Sequence, residues 1–337
     1  SRTRRRALRL PAPEEAPGPT RPKVPPVPVA PIFLDLPLLT GDEVPHAPHL
    51  GVAADPWPGE ATVLSAPFDA DYALDRVVEA SATLGVSLDP MPGAAPGRWD
   101  RGAPVRVRFA TGGSLSSVDE ATLLAGANLF AIGDGRPGGW ELFQAAEAVL
   151  VEPETWTLSR RLRGQLGTEA LGTTPWPAGS RVVRIDSALV QLGLPASARG
   201  LARHFRIGPS GLPLDDPAWV HVVGAFEGIG LRPYAPVHLR AVERGDGALD
   251  LRWVRRTRID GDSWLGDDVP LGEASELYRV RVLGSGDAVL RETDVTTPVW
   301  TWSAAERAQH SGAEALAVAQ VSEAFGAGPY RRIEIDG

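Results

Sequence analysis

The chain has 337 residues, a formal net charge of -8 and no cysteine, and it contains 37 Gly and 32 Pro. The lack of cysteine excludes disulfide scaffolds, thiolate metal sites and thiol catalysis, and the acidic balance argues against a general nucleic-acid binder. No run of about 18 apolar residues predicts a membrane span, and no apolar signal segment follows Ser1, which we expect to be internal to a longer protein.

Residues 1–31 predict a Pro-rich extended linker. Prolines at this density fix φ and remove amide donors, so the segment should be polyproline-like with no core of its own. Its basic residues allow two interpretations, an anionic contact with DNA or lipid, or a solvated linker end. These residues are Arg2, Arg4, Arg5, Arg6 and Arg9.

Residues 32–232 predict a β-rich region with short helices. Short apolar or alternating runs separated by Gly and Pro turns are typical of strands. The runs are IFLDLPLL, ATVLSAPF, VRVRFAT, NLFAIG, WELFQAAEAVLVE, TWTLSRRL and SRVVRIDSALVQL. SSVDEATLLAGA is the best helix candidate, with Ser117 as the N-cap and Glu120 completing a capping box.

Residues 233–337 predict a fibronectin type III-like sandwich. About seven alternating strands follow one another here, and an early strand carries Trp253. The absence of a cysteine pair fits this sandwich better than an antibody-type domain. The whole chain is thus predicted to be mainly β and multidomain, with a mixed β region followed by the sandwich.

Several segments resemble chemical motifs without meeting their requirements. GDGRPGG, Gly133 to Gly139, matches a dinucleotide loop in letters, but Pro137 interrupts it and a hairpin turn is the preferred interpretation. The acidic stretch Asp260 to Asp268 fails the EF-hand pattern, which leaves a solvated loop or a weak calcium site.

No catalytic, cofactor or metal residues are therefore predicted. His46 and His49 lie three residues apart while the other histidines are scattered, and no Cys or HExxH motif accompanies them. Glu152 and Glu154 form one of many acidic pairs and receive no catalytic role. We expect this chain not to be an enzyme.

TWTLSRRLRGQLGTEA, Thr155 to Ala170, is the most distinctive stretch. A period-two pattern places Trp156, Leu158, Arg160 and Leu162 on one face, so the Arg160 guanidinium needs a carboxylate or carbonyls for its donors. Two glycines allow a turn that would bring Glu169 to it. The stretch predicts a strand and a glycine-hinged corner fixed by an Arg160–Glu169 pair.

This stretch resembles the Leu-Ser-x-x-Leu-Arg-Gly-x-x-Gly-Thr-Glu signature of the multidomain tail-tip proteins of siphophage-like particles. The likeness is greatest to the baseplate hub ("megatron") family of Rhodobacter-type gene transfer agents, which is related to the host-specificity proteins of lambda-like phage tail tips. FLDLPLLTGDE, ADPWPG, WDRGAPVRV, LAGANLFAIGDG, LRWVRRTRIDGDSW and VPLGEASELYRV agree in order, from about Pro31 to the end.

The resemblance implies a virion structural protein of the tail baseplate or tail tip. It implies a homotrimeric hub below the tail tube that contacts distal tail and hub proteins and the host envelope, and lets DNA pass without sequence-specific binding. Any hydrolase activity of the family would belong to upstream modules. The implied structural motif comprises Arg160, Arg163, Gly164, Gly167, Thr168 and Glu169.

One alternative to this tail role is glycan binding. Exposed tryptophans such as Trp264, Trp300 and Trp302 could stack on sugar rings. The chain would then be an ancillary region of a secreted or particle-borne envelope hydrolase.

Overall fold

The computed structural model describes residues 27–111, 113–261 and 269–335, and it is mainly β. Each strand run predicted between residues 32 and 232 overlaps at least one strand. The strands of this first part are β1 Ala30–Leu34, β2 His49–Ala53, β3 Ala61–Ala66, β4 Ala73–Val78, β5 Leu84–Ser87, β6 Trp99–Asp100, β7 Val105–Phe109, β8 Leu129–Gly133, β9 Trp140–Glu152, β10 Thr155–Gln165, β11 Arg181–Arg184, β12 Val190–Gln191, β13 Arg203–Pro209 and β14 Val220–Gly224.

The described residues from 237 to 335 add eight strands, and every helix in the described part of the chain is short. The strands are β15 Val237–Glu243, β16 Leu249–Val254, β17 Tyr278–Leu283, β18 Val289–Val295, β19 Val299–Trp302, β20 Ala315–Ser322, β21 Gly326–Ala327 and β22 Arg331–Glu334. The α-helices are α1 Glu120–Leu124, α2 Glu169–Gly172 and α3 Ala304–Gln309, and single 3₁₀ turns span Ala196–Ala198, Ile229–Leu231 and Ser285–Asp287.

Two open sheets enclose the first core. One has the order β1-β2-β12 and the other the order β14-β13-β3-β4. Their inward side chains, among them Leu50, Val63 and Phe205, form one buried cluster that also includes Val29. Residues just before β1 therefore already belong to a packed core.

The second core lies inside a closed antiparallel sheet. Neighbours follow the order β10-β7-β5-β11-β8-β9, and β9 pairs with β10 again, so the six strands form a ring; β6 adds to β10 at one end. Phe109, Phe130 and Phe143 fill its interior. Closure leaves few unpaired edges, which is how small antiparallel sheets avoid edge-to-edge association.

The C-terminal strands form the predicted sandwich. A three-stranded sheet, β15-β16-β19, faces a sheet in which β18, β17 and β20 are neighbours and β22 pairs with the far side of β20. Trp253 is buried between the sheets and meets the ring of Tyr278 edge-on, with centroids 5.1 Å apart. This order of three strands against four confirms the fibronectin type III-like interpretation.

The predicted hairpin at GDGRPGG is confirmed, whereas the predicted helix cap at Ser117 is wrong. GDGRPGG is a hairpin turn, because β8 and β9 flank it with Gly133 opposite Trp140. Ser117 does not cap α1. Asp119 is the N-cap and accepts a hydrogen bond from the amide of Thr122, since the helix starts later than the pattern suggested.

Other predicted features fall partly outside the described residues. These include the basic N-terminal segment and residues 262–268 of the acidic loop. Within the residues described, no helix has the length and apolar character needed to cross a bilayer. The domain boundaries at residues 31 and 232 stay predictions.

Leu251→Ala should destabilise the sandwich by about 2–5 kcal/mol, because Leu251 is completely buried between the two sheets. Leu290→Ala in β18 makes the same change at a side chain that is 40% exposed, and we expect less than about 1 kcal/mol. Chemical denaturation of both variants measures the difference. Equal losses would contradict the packing described for this sandwich.

Candidate functional site: a buried arginine–carboxylate network

The distinctive stretch forms β10 and the loop after it, but its alternation is broken twice. Arg160 has a positive φ of 51°, and a register shift in the β9–β10 pair follows Leu162. From Leu162 to Gln165 β10 advances by three positions while β9 advances by two, and Gly164, with a φ of 62°, lies inside the resulting bulge. Such bulges re-aim side chains. As a result, Arg161 and Arg163 point into the protein.

Arg163 makes a two-pronged ion pair with Glu141 of β9. Its Nε lies 2.6 Å from Oε1 and its Nη2 lies 2.8 Å from Oε2, and both side chains are fully buried. Glu141 also accepts hydrogen bonds from the Gly164 amide and from Trp176 Nε1, at 3.1 and 2.6 Å. A buried charge needs such complete pairing to offset its loss of hydration.

Arg161 pairs with Asp100 of β6. Its Nε is 2.9 Å from Asp100 Oδ2, and its Nη1 donates to the carbonyls of Ala103 and Leu158. Arg163 Nη1 reaches the same Asp100 oxygen at 3.4 Å and so joins the two pairs. Two cations and two anions thus form one network without net charge.

The environment of Asp100 determines its protonation. Burial alone would raise the pKa of its carboxyl, but the Gly102 amide and then the guanidinium groups of Arg161 and Arg163 outweigh burial and hold that pKa below its ordinary value. Asp100 is therefore ionised at neutral pH. Since most of the donors and acceptors of the network are paired with one another, its geometry is suited to holding β6, β9 and β10 together.

The predicted Arg160–Glu169 pair is wrong. Arg160 lies at the surface, where its Nη2 is 3.0 Å from Glu120 Oε2 and its guanidinium stacks over Trp99. Glu169 instead accepts a hydrogen bond of 2.6 Å from Arg256, beyond the end of β16. The reason is the positive φ at Arg160, which moves the packed face of β10 onto Arg161 and Arg163.

The remaining motif residues shape the loop that meets the sandwich. A Cβ on Gly164 would lie 2.7 Å from the Glu169 Cα, and one on Gly167 would lie 2.4 Å from the Tyr234 ring. Thr168 is buried, accepting from the Leu142 amide at 3.0 Å and donating to the Gln165 carbonyl at 2.7 Å. The Arg256 guanidinium stacks over Tyr234, 4.8 Å from its centroid. The loop thereby anchors the connection to the sandwich.

A second buried carboxylate was missed by the sequence analysis. Asp35, just after β1, accepts hydrogen bonds of 2.7, 3.1 and 2.8 Å from the amides of Glu227, Gly228 and Ile229. Burial raises the pKa of Asp35, and these three amides offset that effect only in part. The sequence feature that indicates this buried carboxylate is an aspartate inside the apolar run FLDLPLL.

The other candidate residues do not converge with the network. The His46 ring bonds the Leu194 carbonyl, whereas His49 is buried in β2. Trp300 and Trp302 are 8% and 1% exposed, so neither can serve as the exposed sugar platform of the glycan-binding alternative. They stack on each other inside the sandwich, since both point inward from β19. Trp264 lies outside the described residues.

Fold and site together define a mainly β protein with an arginine–carboxylate network inside its closed sheet. Residues 82–183 match a protein family described as Rcc01698-like, C-terminal. The matched segment spans the closed sheet and contains the whole arginine–carboxylate network. The chain is thus similar to Rcc01698-like proteins over this part. No curated protein matches its sequence.

Two solved structures illustrate its similarity to fibronectin type III proteins. The crystal structure of chicken CNTN1 FN1–FN3 domains is 12% identical, with 92% of this chain and 98% of that chain covered and a TM-score of 0.21. A two-domain fibronectin type III segment from chicken tenascin is 9% identical, with 76% and 99% covered and a TM-score of 0.23. Because both TM-scores are low, the assignment of the sandwich rests on the strand order of the C-terminal sheets.

Arg163→Gln should destabilise the chain by about 3–5 kcal/mol, because it leaves the buried Glu141 without its cation. Arg160→Gln removes an exposed arginine three positions away and should cost no more than about 1 kcal/mol. Denaturant unfolding of the two variants measures this contrast. Similar losses would show that the Arg163 pair is not a main source of stability.

Gly167→Ala tests the loop contact separately from backbone strain. Gly167 and Gly179 have φ values of 84° and 87°, but only Gly167 faces a neighbour, the Tyr234 ring, since nothing lies within 4 Å of a Cβ on Gly179. Gly179→Ala should cost about 1–2 kcal/mol from strain. Gly167→Ala should cost at least about 1 kcal/mol more, measured by thermal unfolding. An equal loss of stability in the two variants would contradict the contact between Gly167 and Tyr234.

Proposed function

We propose that this chain is a structural component of the tail baseplate or tail tip of a phage-like particle of the gene transfer agent type. The observation that carries the proposal is the match of residues 82–183 to the Rcc01698-like family. The arginine signature, which resembles that of tail-tip proteins, lies within this segment. The proposal assigns no catalytic role to the chain.

The arrangement of the described residues suits a mechanical role. The closed sheet is internally paired around the ring, and three buried charges, together with the half-buried Asp100, fix β6, β9 and β10 to one another. The same stretch continues into Glu169, whose bond to Arg256 connects the ring to the sandwich. Force applied to the sandwich would therefore reach the ring through a packed, ion-paired junction.

In this proposal the chain forms a homotrimeric hub below the tail tube. It would contact distal tail and hub proteins and also the host cell envelope, so that attachment precedes DNA delivery. The net charge of -8 supports passage of DNA over retention, because an acidic surface repels phosphates. The particle would assemble in the bacterial cytoplasm and be released from the cell.

The test is quantitative mass spectrometry of purified tailed particles, with the chain counted against a tail component of known copy number. We expect about three copies per particle, as a three-fold hub requires, with density for the chain at the tail end in a particle reconstruction. Absence of the chain from particles, or its location away from the tail end, would overturn the proposal.

Variants of the network add a functional readout. Particles that carry Arg163→Gln should contain less of this chain and transfer less DNA, because the ring is destabilised. Particles that carry Arg160→Gln should match the parent in both respects. Normal DNA transfer by particles that lack the chain would show that the chain is not needed for DNA delivery.

A further inference from the structure

Three polar residues far apart in sequence meet on one face of the β14-β13-β3-β4 sheet. His204 is opposite Ala66 in the β13–β3 pair, and Arg206 is opposite His221 in the β13–β14 pair. Side chains two residues apart on a strand share a face, so His204 and His221 become diagonal neighbours. Asp69 joins them from the hairpin between β3 and β4.

The distances are close to those of a metal site. His204 Nδ1 lies 3.0 Å from His221 Nε2, and His221 Nε2 lies 3.9 Å from Asp69 Oδ1. The three candidate ligand atoms all lie within 4.8 Å of one another. Zinc–nitrogen and zinc–oxygen bonds of about 2.0–2.2 Å place tetrahedral ligands about 3.3 Å apart. The His221–Asp69 separation therefore has to shorten by about 0.6 Å, and the His204–Asp69 separation by up to about 1.5 Å. Asp69 is exposed, so its side chain is the ligand that has to move.

Asp69 supplies a negative charge at this place. The Tyr72 hydroxyl and the Arg206 guanidinium both donate to the Asp69 carboxylate. Both groups bond the same oxygen, Oδ1, at 2.6 and 3.1 Å. A cation would therefore meet an ionised carboxylate and two imidazoles, but Arg206 would repel it.

We propose that Asp69, His204 and His221 bind one divalent transition-metal ion, of which Zn²⁺ is the best match. Imidazole nitrogens together with a carboxylate suit this ion, and three protein ligands leave a position for water. The ion would join the β3–β4 hairpin to β13 and β14. All three ligands lie outside residues 82–183, so this site is independent of the network and of the proposed tail role.

The experiment is calorimetric titration of the full chain with Zn²⁺, supported by the visible spectrum of bound Co²⁺. We expect one ion per chain. His204→Gln and His221→Gln should each weaken binding at least about tenfold, since the loss of a ligand costs more than the loss of an outer partner. His238→Asn is the matched control, because His238 is exposed, lies on β15 and has a φ of 53° that Asn tolerates.

Two further measurements distinguish a site from surface histidines that only bond each other. Arg206→Gln should tighten Zn²⁺ binding, because it removes the opposing charge. Zn²⁺ should also raise the Tm of the parent and of His238→Asn more than that of His204→Gln. Unfolding of the metal-free variants checks that they fold.

Saturable 1:1 binding that is lost in both ligand variants would establish the site. No saturable binding, or binding that these two variants leave unchanged, would overturn it.

Discussion

The buried Arg163–Glu141 pair is the constraint around which the closed sheet is organised. A guanidinium and a carboxylate without solvent contact are stable only when nearly every donor and acceptor is used. Glu141 meets this demand with the Arg163 fork, a backbone amide and the Trp176 indole. Those partners come from β10, its bulge and the segment before β11, so the pair fixes how these parts of the ring close.

The bulge at Gly164 serves two surfaces of the molecule. On its inner side it directs Arg163 to Glu141. Just beyond it, Gly167 meets Tyr234, which precedes β15, and Glu169 binds Arg256, which follows β16. The glycines are needed because a Cβ at either position would collide with a neighbour. One short loop thus connects the most buried charges of the ring to the junction with the sandwich, which suits a part that transmits force.

The half-buried Asp100 and the buried Asp35 show how two acids can respond to pH in opposite ways. The pKa of Asp100 is lowered, so its stabilising contribution is complete above its unfolded value of 3.8 and is lost as pH falls below it. The pKa of Asp35 is raised, so the folded state holds this proton more tightly and gains stability as pH falls through that pKa. Arginines surround the first acid, whereas uncharged amides are the partners of the second.

Sequence alone determined β1, β3, β7 to β12, the GDGRPGG hairpin and the C-terminal sandwich, because turn chemistry and period-two alternation are local properties of the chain. It did not identify β2, β4, β5, β6, β13 or β14. It also located the arginine stretch, but it chose Arg160 and Glu169 as partners because they are near in sequence. Only the tertiary structure decided the real partners. Asp100 and Glu141 are 61 and 22 residues from the arginines they bind, and a positive φ at Arg160 with a bulge after Leu162 changes which side chains face inward. His204, His221 and Asp69 meet for the same reason, since strand register joins residues that no sequence spacing relates.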